Sequence, residues 1–208
     1  MARCIPVDAY RVVNPEPKPN LEMQNARCDF GMLSAWIENV KQPEVLFDRQ
    51  RFSTDRAYAF NFANLNVLHD LIDHRDARLS NFLVPKNAAD ARIFSIDNGI
   101  AFDTSVYDFL VTNYNTIRVS ALPKETVERL RRVTPEQLDQ LGVLGQLELD
   151  GNGGMRNVPP GPNLDPARGV RFTPTVVQFG LTKDEIDGVS KRLRAVLKMV
   201  DAGELGVF

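Results

Sequence analysis

His74-Arg75-Asp76-Ala77-Arg78-Leu79-Ser80-Asn81, followed by Ile96-Asp97-Asn98-Gly99, is the pair of segments on which the reading of this chain turns. In the first, a carboxylate precedes a carboxamide by five residues, on a loop that leaves a helical pattern and enters an apolar run. In the second, the apolar run Ile93-Phe94-Ser95-Ile96 delivers another carboxylate to its end, two residues before a glycine. Moving a phosphoryl group onto a hydroxyl needs a carboxylate to accept the hydroxyl proton and oxygen donors to hold Mg²⁺ on the phosphates. Asp76, Asn81 and Asp97 supply those groups in chain order. Mg²⁺ asks for few protein ligands, because phosphates and waters complete its octahedron. Alone, His-Arg-Asp reads as a solvated turn at a helix end, and Asp-Asn-Gly is also a hairpin signal. Their occurrence together, in successive elements, favours the chemical reading.

The surrounding periodicity is compatible with it. Phe60, Leu65, Leu68, Leu71 and Ile72 recur at helical intervals and predict a helix ending just before His74. Leu79, Phe82, Leu83 and Val84 predict a short strand, and Ile93, Phe94 and Ile96 a second one, with Pro85 to Asp90 as the turn between them. Helix, loop with H-R-D-x-x-x-x-N spacing, short hairpin and acidic residue is the element order of the lower lobe of a protein kinase.

Ahead of this block, Ile5 to Val13 and Met32 to Val40 read as two strands of a hairpin or edge pair. They are separated by a proline-rich stretch, Asn14 to Asn20, that cannot be helix or central strand. Beyond Phe102 the pattern turns helical. Pro123 stands where a first-turn proline belongs, Thr134-Pro135-Glu136-Gln137 has the form of a capping box, and Asp150 to Gly169 reads as a long surface loop. A last helix begins at a Thr182 cap, with Ile186, Val189, Leu193, Val196, Leu197 and Val200 on one stripe.

Composition bounds the function class. The 208 residues are 43% hydrophobic and 25% charged, enough apolar material for a core. Twenty-five basic against 27 acidic side chains give a net charge of −2, which argues against a nucleic-acid or anionic-membrane partner. Cys4 and Cys28 are too few for a disulfide framework. No apolar run reaches the ~20 residues of a membrane span, and the first residues have no signal-peptide core. The expectation is a soluble chain, cytoplasmic by default. The adjacent pair His69-Asp70 invites a metal-dependent phosphohydrolase reading, but His74 is the one other histidine available as a ligand. Gly151-Asn152-Gly153-Gly154 has no lysine in the register of a phosphate-binding loop.

Gly31 to Asn39, then Asp76 with Asn81, then Ile96-Asp97-Asn98-Gly99-Ile100-Ala101-Phe102 resemble the phosphatidylinositol 3/4-kinase-like family, above all type II phosphatidylinositol 4-kinases and their bacterial relatives. The Asp-Asn-Gly-hydrophobic-Ala-Phe string is the most specific part, and Leu122-Pro123 with the final helix is also similar to bacterial members. The resemblance implies an α+β, protein-kinase-like C-terminal lobe, mostly helical with short β-hairpins. As a single domain over 1–208, residues 1–40 would be remnant strands and hinge, and 41–208 the helical lobe. It implies ATP and Mg²⁺ as cofactors, adenine contacts at Trp36 and Ile37 with Ile96 beneath the base, Asp76 as the catalytic carboxylate, and Asn81 and Asp97 as Mg²⁺ ligands. The family places Asp-Arg at the start of the catalytic loop, where this chain has Arg75-Asp76-Ala77 with arginine at 78. Its phosphate-covering loop and lysine have no counterpart, since only four residues precede Ile5. The expectation is an N-terminal lobe largely absent, with a start assigned too late or a partner chain supplying the upper lobe.

Two functions follow. The first is an ATP/Mg²⁺-dependent kinase-like protein acting on a lipid, protein or small-molecule hydroxyl. The second is a pseudokinase lobe serving as a non-catalytic interaction module.

Overall fold

The computed structural model describes residues 2–6, 28–32, 37–74, 78–98, 101–102, 117–152 and 154–208. Among these the fold is mixed α/β, with five α-helices and short, mostly antiparallel strands. They group into two compact units, one drawn from Met1–Trp36 and Glu136–Asp184, the other from Ile37–Pro135 and Glu185–Phe208.

In the first unit, β1 (Ala2–Pro6) pairs antiparallel with β2 (Cys28–Met32), Ala2 opposite Met32. The sequence reading places the two strands at Ile5 to Val13 and Met32 to Val40; of those stretches, residues 7–13 and 33–36 lie outside the described residues, and β1 and β2 meet the expected strands only at Ile5, Pro6 and Met32. Ile37 to Asn39 is irregular, and Asn39 adopts φ 58, a left-handed conformation that cannot continue a strand. Strand β3 is the two residues Val40–Lys41 and belongs to the second unit.

Beyond the helices and short hairpin that the sequence reading places in 41–208, the structure has a further sheet. Strands β7 (Gly145–Leu149), β8 (Met155–Val158), β9 (Val170–Phe172) and β10 (Val176–Phe179) form an antiparallel sheet in the order β8-β7-β10-β9. The stretch Asp150 to Gly169 is therefore no plain loop. Asp150 turns the chain from β7 into β8, its side chain accepting the N–H groups of Asn152 (2.8 Å) and Gly154 (2.9 Å). Cross-strand partners share a face, so Arg171, Gln178 and Gln146 line one side of the sheet while Val177 and Leu147 line the other. The polar side is a built network: the Gln178 amide donates to Gln146 Oε1 (2.8 Å) and the Pro162 carbonyl (2.9 Å), and accepts Leu164 N–H (3.0 Å).

The second unit is built on α2 (Arg56–Leu71), capped by Asp55, which accepts from Ala57 and Tyr58 N–H. The short helix α1 (Arg49–Thr54) precedes it, capped by Asp48. The buried face of α2 is Tyr58, Ala59, Phe62, Ala63, Asn66, Val67 and His69, rotated from the predicted stripe, and Leu68 is 48% exposed. Small alanines allow close approach, and buried Asn66 is satisfied by Arg118 N–H (2.7 Å), so this face packs without a leucine row. Phe47 stacks on Phe62 at 4.7 Å. Around α2 gather Val119 and Leu122, Val127 of α3 (Lys124–Arg131), and Val196 of α5 (Lys183–Asp201), with Leu205 beyond it. Pro123 caps α3 from outside rather than opening its first turn, and α4 (Pro135–Asp139) follows Thr134 directly. The α5 stripe falls as expected, with Ile186, Val189, Leu193 and Val196 buried. The chain ends in β11 (Gly206–Val207), parallel to β6 (Ala121–Leu122). Among the described residues no helix is long and apolar enough to cross a membrane.

Candidate functional site

The site grows from the end of α2. Ile72 closes the helix, and Asp73 turns left-handed at φ 49, a conformation that short polar side chains tolerate. His74 is fully buried, its ring edge-on to that of His69 at 4.8 Å. Past the loop, a 3₁₀ turn (Leu79–Asn81) leads into β4 (Phe82–Pro85), which pairs antiparallel with β5 (Phe94–Ser95). Leu79 thus belongs to the turn, one element earlier than its predicted strand. β3 adds to the other edge, Val40 opposite Pro85.

Two backbone hydrogen bonds close this assembly. Ile96 N–H donates to the Asn81 carbonyl at 2.9 Å, and Phe102 N–H donates to the Ile72 carbonyl at 2.6 Å. The string that carries Asp97 is thereby tied at both ends to the two ends of the 72–81 loop. Asn81 is buried, whereas Asp97 is exposed at φ 56. Oxygen donors of these two kinds, a carboxamide and a carboxylate on joined backbones, fit the preference of Mg²⁺ for hard oxygen ligands. Among the described residues no group of three or more His, Cys, Asp or Glu side chains is placed to hold a metal ion. A cation here would depend on phosphates and water for its remaining positions.

Of the other predicted residues, Ile37 is half-buried just ahead of β3, and Ile96 is half-buried at the end of β5. Asp76 and Trp36 lie outside the described residues. A cavity of about 230 Å³ is walled by Tyr58, Phe62, Phe82, Val84 and Ile93, with Lys41 and Lys86 at its rim. None of the predicted site residues lines it. Phe82 and Val84 point to one side of β4, and Leu83 with its partner Phe94 to the other.

His69, which the sequence offered only as half of a metal-binding pair, has a different place. Buried on α2, it packs against the Phe82 ring at 5.2 Å and its Nε2 lies 2.9 Å from Ser95 Oγ. Burial first, and the neighbouring His74 second, push its pKa down to about 4, so it is neutral at physiological pH. Asp70 sits apart with Asp73 and Arg192. The Arg192 side chain donates to the Leu71 carbonyl at 2.9 Å and lies 3.9 Å from Asp73 Oδ2.

Burial pushes the Asp70 carboxyl up to about 6, against the pull of Arg192. A carboxyl held above its unfolded value stabilises the fold in full below pH ~4, and that contribution is lost as pH rises through ~6. Asp70→Asn should therefore raise the unfolding free energy at pH 7.5, by about 1 kcal/mol once solvent screening of a half-exposed carboxylate is counted, and give no gain at pH 4. Denaturant titrations at the two pH values check this; equal effects at both would refute the assignment.

Comparison with family models, with curated protein sequences and with solved structures finds no match to this chain.

Proposed function

We propose that the chain is a kinase-like phosphotransferase lobe, using ATP and Mg²⁺ to phosphorylate a hydroxyl. The observation that carries the reading is the double tether of the Asp97 string, Ile96 to Asn81 and Phe102 to Ile72. It joins, in one small assembly, the two segments whose spacing first suggested the chemistry. Supporting it is the order helix, loop, β4–β5 hairpin, carboxylate, with Val40 of β3 laid against the hairpin just beyond Ile37, as a hinge segment would be.

In this reading Asn81 and Asp97 hold the cation, which when bound would neutralise phosphate charge and fix the γ-phosphate for transfer. Asp76 accepts the proton of the attacking hydroxyl as its oxygen bonds to the γ-phosphorus and the bond to the β-phosphate oxygen breaks, leaving ADP. Trp36, Ile37 and Ile96 form the adenine contacts. The hydroxyl acceptor is a lipid, protein or small molecule.

Isothermal titration with ATP, with and without Mg²⁺, tests the reading beside the Asp97→Ala variant. The expected result is Mg²⁺-dependent binding that Asp97→Ala reduces to the metal-free level. Unchanged binding in the variant, or no binding in folded wild type, overturns it. The non-catalytic interaction module is what the second of those results would favour.

A further inference from the structure

We propose that His69 and Ser95 are positioning residues for Asp97, acting through a hydrogen-bond chain that runs from helix α2 to Asn98 and closes the turn around the cation ligand. The inference rests on the reading of Asp97 as a Mg²⁺ ligand.

The chain has a direction fixed by its chemistry. Ser95 Oγ lies 2.7 Å from Asn98 Oδ1, and an amide oxygen can only accept, so the single hydroxyl proton of Ser95 goes to Asn98. Ser95 Oγ must then accept from its other neighbour, His69 Nε2, at 2.9 Å. His69 is therefore the Nε2–H tautomer, which agrees with a neutral, buried ring. The sequence is His69 Nε2–H to Ser95 Oγ, and Ser95 Oγ–H to Asn98 Oδ1.

Its anchoring is unequal at the two ends, as a positioning device requires. His69 is 2% exposed and wedged between the His74 and Phe82 rings, so it cannot turn away. Asp97 and Asn98 are exposed and follow the last paired residue of β5. Asp97 holds φ 56, a left-handed conformation that short polar side chains tolerate and that turns the chain sharply at this residue. The Ser95–Asn98 bond spans that residue, and the Ile96 bond to the Asn81 carbonyl holds the same turn from the other side. Partners one step behind a metal ligand set its orientation, and their loss typically weakens metal affinity by about 10- to 100-fold.

The test measures ATP binding with Mn²⁺ as the probe cation, and without metal, in wild type, Ser95→Ala, His69→Leu and His69→Gln. Glutamine can place an amide N–H near the position of Nε2, whereas leucine keeps bulk and removes the donor. The expected result is an affinity about 10-fold weaker in Ser95→Ala and His69→Leu with Mn²⁺, unchanged metal-free ATP binding, and recovery in His69→Gln. A merely structural role would lower metal-free and metal-dependent binding together, and that outcome overturns the proposal. Wild-type affinity in Ser95→Ala, alongside loss in Asp97→Ala, overturns the positioning role and leaves the kinase reading standing. Mn²⁺-independent binding in wild type overturns both. Should His69→Leu fail to fold, Ser95→Ala decides alone, since it breaks both links of the chain, to His69 and to Asn98, and keeps the core volume.

Discussion

Asp76→Asn is expected to lower phosphate transfer by about 100- to 10,000-fold while leaving the affinity for ATP and Mg²⁺ within a factor of two or three. The argument separates two jobs that the proposed site divides among different residues. Asp97 and Asn81 would act on the nucleotide complex, so their loss is read in binding. Asp76 would act on the proton of the acceptor, which changes position only as the new bond forms, so its loss is read in rate. Asparagine keeps the size and one acceptor oxygen of aspartate but has no basicity at neutral pH. A transfer assay on radiolabelled ATP, with a panel of lipid, peptide and small-molecule hydroxyls, gives the rate; titration of the same variant gives the affinity. Equal transfer in Asp76→Asn and wild type would remove Asp76 from its role. Tight, Asp97-dependent binding of Mg²⁺–ATP with no transfer to any hydroxyl would instead favour a nucleotide-binding module.

How far these assignments were legible in the sequence depended on the range of the interactions involved. The β4–β5 hairpin and the helix ahead of His74 were readable, because alternation and 3.6-residue periodicity are local. The rotation of α2 was not. Its buried face uses Ala59, Ala63 and Asn66, whose burial is decided by what packs opposite, while Leu68 is left half-exposed. The four-stranded sheet was hidden for a related reason. Its inward positions on one face are Arg171, Gln178 and Gln146, residues that a hydrophobic pattern scores as outside. The join of Asn81 to Ile96 was implied only by motif order, since a backbone hydrogen bond leaves no trace in side-chain identity. Ser95 and His69 could have been suspected as a polar residue in an apolar strand and a histidine late in a helix, but their pairing spans 26 residues and needed coordinates.

Arg171→Met should destabilise the sheet-bearing unit by about 3 kcal/mol. Arg171 is 2% exposed, and its guanidinium donates to three carbonyls: Asp165 at 2.6 Å, Leu181 at 2.8 Å, and Gly142. These carbonyls belong to three separate connections, so one side chain fastens the segments that precede β7, precede β9 and follow β10. Charge-assisted bonds of this kind are worth roughly 1.5–3 kcal/mol each, and burying the guanidinium offsets several kcal/mol of their sum. The bonds win on balance because methionine fills much of the volume but leaves the Leu181 and Gly142 carbonyls without their donor. The Gly142 carbonyl is also closed in from the other side, where a Cβ on Gly180 would overlap it. It has no room to swing toward water, so the lost donor is not easily replaced. Arg171→Lys should fall between the two, because a single ammonium cannot match a fork that reaches three acceptors. Urea unfolding followed by circular dichroism gives the comparison. A midpoint for Arg171→Met equal to that of wild type would mean that guanidinium desolvation cancels the three bonds, leaving close packing around Val177 and Leu147 to hold the sheet together.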